Sequence, residues 1–123
     1  MTGKLALIIE DDFDASTIFA TALQVAGYET EVISTGDEAQ VRLGEVVPDL
    51  ILLDLHLPRV VGTELLAQVR ADERLQETRI IVASADARMA EAVRADVDLI
   101  LIKPATFSQV RDLGIRMMKS AVR

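Results

Sequence analysis

Cysteine is absent from this chain. That removes disulfides and thiolate-held metals from consideration. Tryptophan is absent too, and aromatic residues make up only 3% of the 123 positions, so any core must be mostly aliphatic. A single histidine, His56, leaves no histidine cluster for zinc. Cations are in deficit: 13 Lys and Arg stand against 20 Asp and Glu, a net charge of −7. Nucleic-acid surfaces are normally basic, so this balance argues against direct nucleic-acid binding. The longest apolar runs are far too short to cross a bilayer, which argues against membrane insertion. No basic leader precedes an apolar segment in the manner of a signal peptide. These absences fit a reducing cytoplasm. With no repeat, low-complexity tract or flexible linker, residues 1–123 are expected to form one domain, with no effector domain among them.

What is present has an ordinary globular balance, 50% hydrophobic and 27% charged. The chain is organised around Leu50-Ile51-Leu52-Leu53-Asp54-Leu55-His56-Leu57-Pro58. Four apolar residues end abruptly in a carboxylate, and a proline then blocks continuation of a central strand. Such a run between Pro48-Asp49 and Pro58 predicts a strand buried on both faces, with Asp54 at its C-terminal mouth. Ligands of open parallel sheets bind outside those mouths.

Other segments fall into place around it. Residues 5–9 form an apolar first strand that ends in Glu10-Asp11-Asp12. A helix follows, with Phe13, Ile18, Phe19, Ala22, Leu23 and Ala26 at three- and four-residue spacing. Asp12 or Asp14 caps its start and Gly27 suits its stop. Residues 28–33 alternate, with Glu29 and Glu31 on one side, as an edge strand does. Thr35-Gly36-Asp37-Glu38 is a capping box for a second helix through about Leu43. Gly62 precedes a third helix bearing Leu65, Leu66 and Val69. Residues 80–83 form a fourth strand ending in Ser84. Asp86 caps a short helix carrying Met89, Ala92 and Val93. Residues 99–102 form a fifth strand ending in Lys103-Pro104. The last helix starts near Thr106 and presents Phe107, Val110, Leu113 and Met117. Strict β-α alternation with short connections predicts a parallel, doubly wound α/β sheet of the flavodoxin-like kind, strand order 2-1-3-4-5 with helices on both faces.

That order gathers Glu10, Asp11, Asp54, Ser84 and Lys103 along one sheet edge. Carboxylates from neighbouring strands repel and raise one another's pKa values, and a hard divalent cation relieves the repulsion. Mg²⁺ suits carboxylates, water and phosphoryl oxygens, and Mn²⁺ could substitute. An aspartate can attack phosphorus to form an aspartyl phosphate. A lysine and the metal would neutralise the transferring group, and a serine hydroxyl could donate to it.

With these residues in place, the chain resembles the receiver domains of two-component response regulators. The resemblance runs over essentially its whole length. It rests on Glu10-Asp11, Asp54 with the following Leu55-His56-Leu57-Pro58, Ser84, and Lys103-Pro104. It implies that Asp54 accepts phosphate from the phosphohistidine of a histidine kinase or phosphotransfer protein. It further implies that Asp11 and Asp54 bind Mg²⁺ directly, Glu10 through water, and His56 through its backbone carbonyl. Ser84 and Lys103 would contact the phosphoryl group, and the Lys103-Pro104 bond would be cis. The output would be an altered face that binds a downstream protein of unknown identity.

Ile100 departs from the family pattern, because many relatives carry an aromatic switch residue three positions before the lysine. Phe107 lies beyond Lys103-Pro104 and belongs under the last helix. The segment 94–98 lacks the glycine common before strand five. The role expected is regulatory, with only slow self-phosphorylation and self-dephosphorylation. Two alternatives stand against this role. A receiver-like interaction module that is never phosphorylated conflicts with the intact acids and Lys103. A hydrolase using an aspartyl phosphate commonly carries a second acid two positions after the nucleophile, where this chain has His56.

Overall fold

The computed structural model describes residues 3–57 and 60–120, with side chains as far as Met118. Five strands, β1 (Lys4–Ile9), β2 (Tyr28–Ile33), β3 (Leu50–Asp54), β4 (Arg79–Ser84) and β5 (Leu99–Ile102), alternate with five helices. The helices are α1 (Phe13–Ala26), α2 (Gly36–Leu43), α3 (Gly62–Ala71), α4 (Ala87–Ala92) and α5 (Phe107–Ser120). All strand pairs are parallel, in the order β2-β1-β3-β4-β5. This is the doubly wound architecture expected. Two single 3₁₀ turns, Glu73–Leu75 and Arg94–Asp96, were not foreseen; each packs a short connection before a strand.

Side chains alternate across a strand, so each central strand feeds two cores. Leu7, Ile9, Ile51, Leu53, Ile80 and Val82 pack with Ala39, Leu43, Leu65, Leu66, Val69 and Val93 under α2, α3 and α4. Ala6, Ile8, Leu50, Leu52, Ile81, Ala83 and Leu101 pack with Phe19, Ala22, Leu23, Val110 and Met117 under α1 and α5. Central strands covered on both faces show no polar alternation, which is why they read as continuous apolar runs.

Local signals set the helix ends. Asp12 caps α1 by accepting the Ala15 N–H at 2.8 Å, and α1 stops at Gly27. Thr35 Oγ1 accepts the Glu38 N–H at 3.3 Å and donates to Glu38 Oε1 at 3.0 Å. Glu38 thus holds the capping hydroxyl rather than reaching the Thr35 amide. Asp86 accepts from the Arg88 and Met89 amides at the start of α4.

Two helical readings need correction. Phe13 is 79% exposed and Ile18 42%, so the buried face of α1 is Ser16, Phe19, Ala22 and Leu23. Phe13 is the first residue of α1 and stands outside the core that Phe19, Ala22 and Leu23 join. In α4, Ala92 faces solvent, while Ala90 and Val93 turn inward. α5 is pinned to the rest of the fold by Tyr28, whose hydroxyl donates to Gly114 O at 2.9 Å. Burial, and then the charge of Asp49, push the Tyr28 phenol up to about 12.

Candidate functional site

The strand alternation also sorts the mouth residues. Glu10 continues the parity of Ala6 and Ile8, Asp54 that of Leu50 and Leu52, and Lys103 that of Leu101. All three therefore point toward the α1/α5 side. They meet there: Lys103 Nζ lies 2.6 Å from Glu10 Oε1 and 3.5 Å from Asp54 Oδ2. Ser84 has the opposite parity, with Ile80 and Val82. Its fully buried hydroxyl accepts the Asp86 N–H at 3.0 Å and donates to Asp86 O at 3.2 Å.

Asp54 is only 5% exposed, and the turn that follows it orients its carboxylate: the His56 N–H donates to Asp54 Oδ1 at 3.0 Å. The His56 side chain is exposed. The tight path of this turn depends on Gly62. A Cβ there would stand 2.5 Å from Leu55 Cα and 2.9 Å from Asp54 O, and its N–H donates to Leu55 O at 3.2 Å. Pro58, part of the same motif, lies outside the described residues.

Glu10 is 2% exposed, and its second oxygen accepts the Asp12 N–H at 3.2 Å. Burial raises its pKa, and the Lys103 hydrogen bond offsets only part of that. For Lys103, burial opposes the charge, but the Glu10 hydrogen bond and the Asp54 and Glu10 charges outweigh it and raise its pKa. These shifts pull the pair in different senses. The cationic state of Lys103 governs, since its ammonium sits between two carboxylates and keeps partial access to solvent.

Asp11 is exposed beside this pair. Glu10, Asp11 and Asp54 each offer a carboxylate oxygen, and these oxygens lie within 4.8 Å of one another. An all-oxygen, multiply charged donor set suits a hard divalent cation. Lys103-Pro104 is cis, as the resemblance implied. Ile100 is half-buried in β5, in register with Val82.

A family model, the response regulator receiver domain, matches residues 6–113. The chain belongs to the response regulator receiver family. Among receiver relatives, the phosphate regulon transcriptional regulatory protein PhoB of Rhizobium meliloti is 36% identical over 107 residues, covering 85% of this chain. The chain spans 47% of that protein's length. The polar-differentiation response regulator DivK of Brucella ovis is 34% identical over 91 residues, 74% of either chain. Among solved receivers, that of the sensor histidine kinase PA1611 from Pseudomonas aeruginosa, with a magnesium ion in its active-site cleft, superposes with a TM-score of 0.84. It is 24% identical and covers 96% of this chain and 99% of that one, a likeness of fold. The receiver family is regulatory rather than a class of turnover enzymes. No helix among the described residues is long and apolar enough to cross a membrane.

Sequence reasoning placed Glu10, Asp11, Asp54 and Lys103 at one sheet edge but missed two acids at the opposite one. Asp49 Oδ2 accepts the Leu5 N–H, and Asp98 Oδ2 accepts the Ile80 N–H, each at 2.8 Å. The signal was available: both residues open the same tetrapeptide, Asp-Leu-Ile-Leu, at 49–52 and 98–101.

Proposed function

We propose that this receiver, acting in the cytoplasm, accepts a phosphoryl group on Asp54 from the phosphohistidine of a histidine kinase or phosphotransfer protein, and signals through a changed protein-binding face. The observation that carries this reading is the position of Lys103, shared between Glu10 and Asp54 at the mouth of a buried strand. Residues 1–123 work as one receiver unit in this scheme.

The donor set fits Mg²⁺, and Mn²⁺ shares its preferences. Asp11 and Asp54 would hold the ion directly, with the His56 carbonyl. Glu10, already tied to Lys103, would act through water. Bound there, the ion supplies positive charge to the phosphoryl oxygens. A carboxylate oxygen of Asp54 forms the new O–P bond as the P–N bond of the donor breaks. The donor imidazole keeps that electron pair and takes up a proton. The His56 amide keeps the Asp54 carboxylate aimed, and the Lys103 ammonium neutralises charge on the transferring group.

To donate to a phosphoryl oxygen, the Ser84 hydroxyl must leave Asp86 O. Asp86 is the N-cap of the six-residue α4, so this exchange disturbs the start of that helix. Output through α4, β5 and α5 then needs no aromatic ring at Ile100. Pro104 sits on the same path, directly after Lys103. The hydrolase alternative gains nothing from His56, which is exposed and not an acid.

The test is incubation with acetyl phosphate and Mg²⁺, followed by intact mass. One added phosphoryl group on the wild type and none on Asp54→Asn is the expected result. Full labelling of the variant would remove Asp54 from the role. Beryllofluoride-induced amide shifts confined to the strand mouths would remove the output face.

A further inference from the structure

The chain that follows the Asp54 turn meets α2, the helix between β2 and β3. Gly36 opens α2 and is buried. A Cβ on it would lie 2.4 Å from Val60 O and 2.6 Å from Val60 Cβ, distances that real Cβ atoms do not adopt. α2 cannot easily retreat from such a contact. Ala39 and Leu43 are fully buried in the core, and Gln68 of α3 donates to Gln40 O at 3.2 Å. Val60 is therefore the partner that would give way. Two residues later comes Gly62, which packs on Leu55 and Asp54 O. Leu55 separates Asp54 from His56, whose N–H holds Asp54 Oδ1.

We propose that Gly36 is a positioning residue for the phosphoacceptor. Its missing side chain lets Val60 seat against α2, and that seat keeps the Asp54–His56 turn in the geometry that aims the carboxylate. The inference rests on the reading of Asp54 as phosphoacceptor, but its first readout does not depend on labelling. A misplacement of about 1 Å from a distant change can slow a reaction roughly a hundredfold.

The experiment compares Gly36→Ala, Val60→Gly and a control, Gly44→Ala, with the wild type. Gly44 closes the same helix, and its Cβ would meet only Val41 O, at 3.3 Å. Circular dichroism establishes folding. The His56 amide is then followed by ¹H–¹⁵N spectra and hydrogen exchange, Mg²⁺ affinity by titration, and labelling by acetyl phosphate. In Gly36→Ala, the His56 amide is expected to shift and exchange about tenfold faster. Labelling should slow between roughly tenfold and a hundredfold. Gly44→Ala should match the wild type in all three. If Gly36→Ala does not fold, Val60→Gly decides, since it removes the seat from the other side and should free the His56 amide. A folded Gly36→Ala with an unmoved His56 amide and wild-type Mg²⁺ affinity overturns the proposal. So does a Gly44→Ala that shows the same changes. A wild type that is never labelled, alongside a His56 amide that moves in Gly36→Ala, overturns the Asp54 reading and leaves the positioning role standing.

Discussion

The two edges of this sheet use the same residue type in opposite ways. At the N-terminal edge, Asp49 and Asp98 each accept the amide of the second residue of a neighbouring strand and return their own N–H to the same residue. Asp98 also lies 3.3 Å from Arg79 and 3.7 Å from Arg70. These acids are matched by donors and act as clamps between strands. At the C-terminal edge, Glu10, Asp11 and Asp54 crowd together, and among the described residues Lys103 is the one cation paired with Glu10 and Asp54. Among the described residues negative charge outnumbers positive there, and a hard cation or a phosphoryl group held by Lys103 would relieve the crowding. What an aspartate does here depends on how many donors its neighbours supply.

The largest expected effect breaks the comparison at its active end. Asp54→Asn should lose phosphoryl labelling completely in intact mass while unfolding no earlier than the wild type, because it removes one charge from a crowded group. Loss of stability comparable to that of a core truncation would show that Asp54 is a clamp like the others.

The next effect lies at the opposite edge. Asp98→Ala strands the Ile80 amide and takes a partner from two arginines. Urea unfolding should report a loss of about 2–3 kcal/mol with phosphoryl labelling preserved. A loss within error would mean that the clamp is decorative.

Tyr28 sharpens the contrast, since it starts β2 at this same edge and feels the charge of Asp49. It is the only tyrosine, so its ultraviolet absorbance titrates it alone. Its folded pKa of about 12 lies above the ordinary 10.0. The folded state therefore keeps the phenolic proton longer than the unfolded state. The associated stability is complete below about pH 10 and is lost as pH rises through about 12. That rise corresponds to about 3 kcal/mol at most. Tyr28→Phe should abolish that alkaline loss, and a wild-type midpoint near 10 would contradict the burial argument.

Asp11→Asn should give the smallest change. Mg²⁺ affinity falls roughly tenfold, about 1.4 kcal/mol, and thermal stability holds or rises slightly. Unchanged affinity would leave Asp11 a solvated acid with no part in metal binding.

Much of this was legible because strands buried on two faces write themselves as apolar runs, and a polar residue ending such a run has few places to go. Asp54 after Leu53 and Lys103 after Ile102 are readable on that ground alone. Phe13 was misread because helical spacing states which residues share a face, not which of them the core covers. Ser84 could be placed at a mouth, but its bond to Asp86 could not be seen. Gly36 read only as part of a capping box, since nothing local announces the Val60 carbonyl above it.

The sequence by itself determined the alternation, the strand faces and the set of residues at the mouths. Each of those follows from backbone periodicity and local capping, which act over a few residues. Only the tertiary structure decided partners. Lys103 rests on Glu10 across 93 positions of chain, Tyr28 holds Gly114 across 86, and Asp49 rather than a turn residue takes the Leu5 amide. Which donor meets which acceptor depends on strand order, on register and on the space left by absent side chains, and those exist only once the sheet has closed over both cores.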